Sequence, residues 1–363
     1  MLIQKLLEPK VFDVFIQENM KESTFRAEWK DEIANVEYCG AKAYQAYLAE
    51  TTAAIVGSVI DKNAEKPTHQ MPSAKELVGT IGRMGDEWQM DNERLDQYYY
   101  LQGRYNDRVA NAASIGFNKQ EEYKKLVQLL FDPFEKAVIA PQKRIDLLYF
   151  EGLFKGTQTV SRSNNTKSNV SYTYDLGVKR FGVGKAAWGD ANATPIADIQ
   201  AVVDFAESQG KTVKKIRMSK RTFRAMCKAS EIAQAFTMKL QKVEIKPSAI
   251  SVNDMNAYLE GIMLPTIQVE KDRFATLADG TSTNLTPDNS VVFQCADNVA
   301  VLKVADALEA VDKLPNKVYS IYDNNLVGHW RSDRGRFVDY EMWAQPVFTG
   351  KNEYFIMDTT KVG

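Results

Sequence analysis

The chain has 363 residues, 44% hydrophobic and 26% charged, enough apolar material for two or three domains or one elaborated one and too much for a disordered chain. Its 46 basic residues balance 47 acidic ones for a formal net charge of −1, so no global basic field marks a nucleic-acid reader. Cys39, Cys227 and Cys295 stand at no metal-ligand spacing and read as free thiols of a reducing compartment, Met1 to Glu8 lacks the apolar core of a secretory signal, and the run Ala53 to Ile60 is too short to span a bilayer.

Residues 1–35 are read as an N-terminal arm. Its apolar anchors Val11, Phe12, Val14, Phe15, Phe25 and Trp29 are interrupted by charges and show no single clean period, which predicts an arm lying on a neighbouring subunit. Residues 36–62 are predicted to carry a helix, with Tyr44, Leu48, Thr51, Ile55 and Val59 at helical spacing and Pro67 and Pro72 beyond its end. Residues 63–95 are polar, with Gly79, Gly82 and Gly85, and are predicted to form an extended loop. Met84, Trp88 and Met90 within it need a partner surface. With Phe12, Phe15, Phe25 and Trp29 they are the candidate intersubunit contacts. Tyr98-Tyr99-Tyr100-Leu101 is too aromatic to face solvent.

Residues 96–187 are expected to hold a long helix over 119–157, restarting at Asp132-Pro133 and kinked at Pro141. Phe134, Val138, Ile145, Leu148 and Tyr149 form its apolar stripe, and Gly152 and Gly156 mark its end. An exposed Ser/Asn-rich loop, Ser161 to Asn169, precedes the alternating strand Val170 to Asp175. At Trp188-Gly189-Asp190-Ala191-Asn192-Ala193-Thr194-Pro195-Ile196-Ala197-Asp198-Ile199 a helix starts. Thr194 suits the N-cap, Pro195 the first helical position, and Asp198 the positive end of the helix dipole. Ile196, Ile199, Val202, Val203 and Ala206 make one face, and Gly210 stops the helix.

Strands are expected over Thr212–Met218, Pro265–Val269, Ser290–Phe293 and Val299–Leu302. Ser219 caps one helix, and Ser251 to Asp254 forms a capping box for another. Asp279-Gly280 signals a turn, and Phe337 to Phe348 alternates as a strand until Pro346. Lys211, Lys214, Lys215 and Arg217 read as the wet face of an edge strand, with a DNA-facing patch as the minority reading.

Catalytic chemistry finds no support in the motifs. His69 and His329 are the only histidines. The first sits in a polar, proline-flanked loop and the second beside Trp330 as a structural residue. Neither HExxH nor a G-x-S-x-G elbow occurs. Gly182-Val183-Gly184-Lys185 lacks the upstream glycine and the following Ser or Thr of a phosphate loop and reads as a turn. No catalytic residue, cofactor or metal site is expected.

The Trp188-to-Ile199 segment resembles the tryptophan-loop-helix junction of lambda-type major capsid proteins of tailed phages, the major capsid protein E family. The order of the remaining parts is similar, as are Leu264 to Val269, Asp279-Gly280, Thr286-Pro287-Asp288 and Val291-Val292-Phe293. The resemblance implies an α+β, HK-ninety-seven-like capsid fold: the arm, the extended loop, a peripheral domain with its long helix, an axial domain over 188–300, and a return to the peripheral domain over 301–363. It assigns Trp188, Asp190, Thr194, Pro195 and Asp198 to a structural junction between the two domains. It implies self-assembly into pentamers and hexamers of a phage head around double-stranded DNA. Scaffold, portal and decoration proteins are the implied partners, no membrane is involved, and assembly takes place in the bacterial cytoplasm. An encapsulin-type compartment shell and a soluble α/β enzyme are the alternatives.

Overall fold

A computed structural model of the protein describes residues 5–40, 42–48, 75–110, 118–161, 164–165, 170–239, 250–277, 280–350 and 352–363. Thr51, Ile55, Val59, Pro67, His69, Pro72 and Asp279, singled out above, lie outside them, as does most of the Ser161–Asn169 loop.

The chain opens with α1 (Pro9–Glu22) and a 3₁₀ turn, Glu28–Asp31, before β1 (Val36–Tyr38). A hairpin follows, β2 (Ala43–Leu48) and β3 (Lys75–Thr80), then β4 (Arg83–Met84) and β5 (Glu87–Met90). Two helices come next, α2 (Asn92–Ala110) and α3 (Lys119–Lys155), and then β6 (Thr157–Val160), β7 (Tyr172–Asp175) and β8 (Arg180–Val183). The middle of the chain holds α4 (Pro195–Ser208), β9 (Lys215–Ser219), α5 (Lys220–Met226), α6 (Ser230–Lys239), α7 (Val252–Gly261) and β10 (Ile267–Glu270). Short strands β11 (Phe274–Thr276) and β12 (Ser282–Asn284) lead to β13 (Ser290–Gln294) and β14 (Ala300–Ala305). The one-turn α8 (Leu308–Val311) precedes β15 (Lys317–Tyr322), β16 (Asn325–Ser332), β17 (Gly335–Phe348) and β18 (Tyr354–Val362).

Two sheets organise these elements. The seven-stranded sheet runs β1-β14-β17-β16-β15, with β4 and β5 also paired to β17. The five-stranded sheet runs β10-β9-β13-β18-β8. Register makes the smaller sheet a partition. Arg217, Val292 and Ile356 are neighbours across β9, β13 and β18 and share one face. Ile216, Phe293 and Phe355 are the next neighbours along and share the other. The first face, with α3 and the larger sheet, encloses one core, and the second, under α4 to α7, encloses another.

The long helix is the spine of the first core. It runs unbroken from Lys119 to Lys155 with Pro133 and Pro141 inside it. The expected restart at Asp132 therefore does not occur: packing of the buried stripe Phe134, Val138, Ile145, Leu148 and Tyr149 outweighs the lost backbone hydrogen bonds. Asn118 is the N-cap, accepting from the backbone N–H groups of Gln120 and Glu121. At Gly152 a Cβ would fall 2.3 Å from the ring of Phe348, so the absent side chain is what lets β17 lie against the helix.

Four further expectations are corrected. Residues 43–48 form a strand rather than part of a helix, because Ala43 to Leu48 pair antiparallel with Lys75 to Thr80. Tyr98 is buried, but Tyr99 and Tyr100 on the outer face of α2 are exposed, as helical geometry turns adjacent residues apart. Strand β17 continues through Pro346, which lies opposite Leu302. Arg217 is fully buried, since β9 is an inner strand between β10 and β13 rather than an edge.

Candidate functional site: a clamped subunit and its outward surfaces

The Trp188 segment is held by one carboxylate. Asp198, buried in the first turn of α4, accepts from the Gly184 backbone N–H at 2.8 Å and from Trp188 Nε1 at 2.9 Å. A helix N-terminus favours that negative charge. The ring of Trp188 is 6% exposed and packs within the second core rather than between the two cores. The Trp188 backbone N–H donates to the Thr359 carbonyl at 2.9 Å, which ties the segment to β18. Asp190 is exposed and turns the loop, its side chain accepting from the Asn192 N–H at 2.8 Å. Pro195 is buried at the start of α4 as expected. Thr194 makes no side-chain cap bond. Glu231, from α6, accepts from the Ile196 N–H at 2.8 Å in its place. The C-terminus of α4 follows the sequence reading: Gly210 has φ +70°, its N–H bonds the Glu207 carbonyl at 2.8 Å, and the Lys211 N–H bonds Ala206 at 2.9 Å.

A second set of residues, which the motifs did not point to, joins the N-terminal segment to the partition sheet. Arg217 donates to both Glu32 oxygens at 2.7 Å and to Glu270 at 2.6 Å. Glu270 also accepts from Arg273 at 2.7 Å, and Arg273 reaches Glu28 at 3.2 Å. Burial alone would lower the Arg217 pKa, but the hydrogen bonds and charges of Glu32 and Glu270 drive it upward. Glu270 is held below its usual range for the matching reason, its desolvation being outweighed by Arg217 and Arg273. Beside this network the Trp29 backbone N–H donates to Asp146 at 2.8 Å, and Trp29 Nε1 donates to Gln142 at 2.8 Å. Burial pushes Asp146 up to about 6, and its second oxygen has no hydrogen bond, with Lys143 at 3.6 Å. Local pattern did not signal the network: Arg217 alternates with Ile216 and Met218 as a solvent-facing residue would, and it is buried because β9 is an inner strand covered on both faces.

The seven expected intersubunit contacts are placed differently. Phe12, Phe15, Trp29 and Met90 are buried in their own subunit's first core, and Phe25, Met84 and Trp88 pack partly buried against it. Phe12 lies 5.4 Å from Phe134 between ring centroids, Phe15 5.6 Å from Phe131, and Trp88 stacks on Tyr340. For the buried Phe12, Phe15, Trp29 and Met90 the expectation of a neighbour's surface is thereby corrected. The arm folds as a helix whose apolar stripe finds α3 in the same chain, and residues 83–90 find β17. His329 closes the Phe12 and Phe134 cluster, where burial pushes its pKa down to about 4.

The outward features differ in kind. Among the described residues, the hairpin β2–β3 pairs with no other strand. Its base is closed by the Ile81 N–H on the Lys42 carbonyl at 3.0 Å. Three of the four residues of the basic cluster are paired: Lys211 with Glu353, Lys214 with Asp297, and Arg217 as above. The Gly182–Lys185 stretch ends β8 and makes the Asp198 contact. No described helix is long and apolar enough to cross a membrane.

Two sheets, a spine helix and a helix-covered partition define an α+β subunit of the HK-ninety-seven-like capsid class. The chain resembles the capsid protein of an Escherichia coli prophage at 13% identity and a TM-score of 0.56, covering 96% of this chain and 97% of that one. It is also similar to a phage-related protein of Bordetella bronchiseptica, at 9% identity and a TM-score of 0.49 over 97% and 98% of the two chains. The first of these carries the fold assignment. No curated protein sequence matches the chain. The profile of the phage major capsid protein E family matches residues 110–348, and the chain belongs to that family. It is a viral structural protein that assembles with copies of itself into a phage capsid.

Proposed function

We propose that the chain builds the pentamers and hexamers of an icosahedral phage head around double-stranded DNA, acting by assembly and not by catalysis. The observation that carries this reading is the β2–β3 hairpin. Its strands pair only with each other, on a subunit whose other described strands lie in the two main sheets or in two further short pairs, β6–β7 and β11–β12. A hairpin that joins neither main sheet is suited to lie across a neighbour, where its edges gain partners. The first core with its long helix corresponds to the peripheral domain of such a subunit, and the second core to the axial domain. The Trp188 segment serves as the structural junction within the latter.

Packaged DNA is contacted through its phosphates without sequence preference, which suits a wall of near-neutral charge that neither binds it tightly nor reads it. Scaffold, portal and decoration proteins are the further partners, and assembly precedes packaging in the host cytoplasm. Co-expression with a scaffold, followed by gradient sedimentation and negative-stain microscopy, tests the reading. Closed shells of uniform diameter are expected, and a strictly monomeric chain at high concentration contradicts it.

A further inference from the structure

Two helices of the second core end in the same way and differ at one residue. Helix α7 closes with the Met263 N–H on the Glu260 carbonyl at 3.1 Å and the Leu264 N–H on Leu259 at 2.9 Å. This is the hydrogen-bond pattern that closes α4 at Gly210, and it places the residue after the cap in the left-handed region. In α4 that residue is glycine, in α7 it is Met263, with φ +60°. An L side chain is strained there and glycine is not.

Among the described residues, no side-chain packing of Met263 compensates the strain. Met263 is 92% exposed, while the apolar contact that usually accompanies such an ending is made by its neighbours Leu264 and Leu259, both buried. The preceding residue, Ile262, is also partly exposed, at 36%. A long, flexible thioether displayed beside edge strand β10 at a conformational cost has its use outside the subunit.

The other edge of the same sheet offers a seat. Between β8 and α4 runs a depression of about 380 Å³. It is lined by the small residues Gly182, Gly184, Ala197 and Ala201 and the buried Val183 and Val202, with Phe181, Thr194, Gly363 and the clamped carboxylate of Asp198 completing it. Met263 and this depression lie at diagonally opposite corners of the five-stranded sheet. A protruding side chain on one edge and a recess on the other are the two halves of a head-to-tail contact, the kind that closes identical copies into rings.

We propose that Met263 is an intersubunit contact that seats in the depression between β8 and α4 of the next copy. The inference rests on the shell reading above. Met263→Gly is the test, because strain and contact pull it in opposite directions. The Tm of the dissociated subunit should hold or rise by about 1–2 °C. The protein concentration needed for shell formation should rise at least tenfold, and Met263→Leu should restore it. A chain carrying both Met263→Cys and Ala201→Cys should give a ladder of oxidised, covalently linked subunits from assembled shells, which either single variant lacks.

Normal assembly of Met263→Gly, a lowered subunit Tm, or no ladder from the double variant each overturns the proposal while leaving the shell reading intact. Failure of the unaltered chain to assemble removes both.

Discussion

Trp188, Arg217 and Asp146 show three ways in which one residue holds this subunit. The Trp188 ring is almost wholly buried and its only polar atom is bonded to Asp198. Trp188→Ala should therefore lower the urea-unfolding free energy of the subunit by roughly 3–5 kcal/mol. Trp188→Phe, which leaves one Asp198 oxygen without its donor, should cost about 1–3 kcal/mol. Losses well under 1 kcal/mol in both would mean the clamp is not structural. Arg217 is held by two buried or half-buried carboxylates, so Arg217→Met leaves Glu32 without its cation and Glu270 with Arg273 alone, at about 3–5 kcal/mol.

Asp146 acts in the opposite sense. Its folded pKa near 6 lies above its ordinary 3.8, so the folded chain binds that proton more tightly than the unfolded one. The contribution of this group to stability falls as pH rises from about 4 to 6 and is regained as pH falls. Asp146→Asn should gain roughly 1–3 kcal/mol on the unaltered protein above pH 6, and the gain should vanish near pH 4. Denaturation curves across that window check it, and a pH-independent difference contradicts it. Pro195 and Asp198 were legible in the sequence because helix starts have local chemistry. Glu231 as the cap of α4 and Glu32 as the partner of Arg217 were not, since each arrives from a distant part of the chain.

At the scale of elements, the N-terminal segment gives up the intersubunit role its composition suggested, while the hairpin joins neither main sheet. Helix α1 contributes Phe12, Phe15 and Ile16 to its own subunit's core, and the turn after it contributes Trp29. Burial of each is worth on the order of 1.5–3 kcal/mol. Deleting residues 1–33 should thus give an unstable or insoluble subunit. A truncated chain with unchanged thermal unfolding would return the arm to an intersubunit role. The sequence showed apolar anchors without one period, and the reason is now physical: α1, the 3₁₀ turn and the chain between them each present their apolar residues to a different part of α3. The hairpin responds the other way. Its base is pinched at Lys42 and Ile81, so a short Gly/Ser linker can replace residues 43–80. The shortened subunit should fold with near-native stability and fail to form shells. Residues 43–48 misled because Tyr44 and Leu48 stand at helical spacing, and the partner that makes them a strand lies some thirty residues on, at Lys75 to Thr80. Local periodicity carries no information about such a partner.

Across the whole molecule, the partition sheet explains how one chain supports two cores. Each central strand gives alternate residues to the two cores, and the Arg217 network fixes the N-terminal segment to the sheet between them. The class of the subunit was legible from the order of its parts and from the Trp188 segment, while the sheet pairings were not, because β18 and β8 join the sheet from far along the chain. On the proposed reading, the subunit keeps its apolar anchors at home, and the hairpin and the Met263 edge supply the adhesion. A cryo-electron microscopy map of the assembled shell at side-chain resolution tests this most directly. It should show Phe12 and Trp29 against α3 of their own subunit and residues 43–80 lying on a neighbour. Residues 5–33 crossing to an adjacent copy, with the hairpin folded back on its own subunit, would contradict the account.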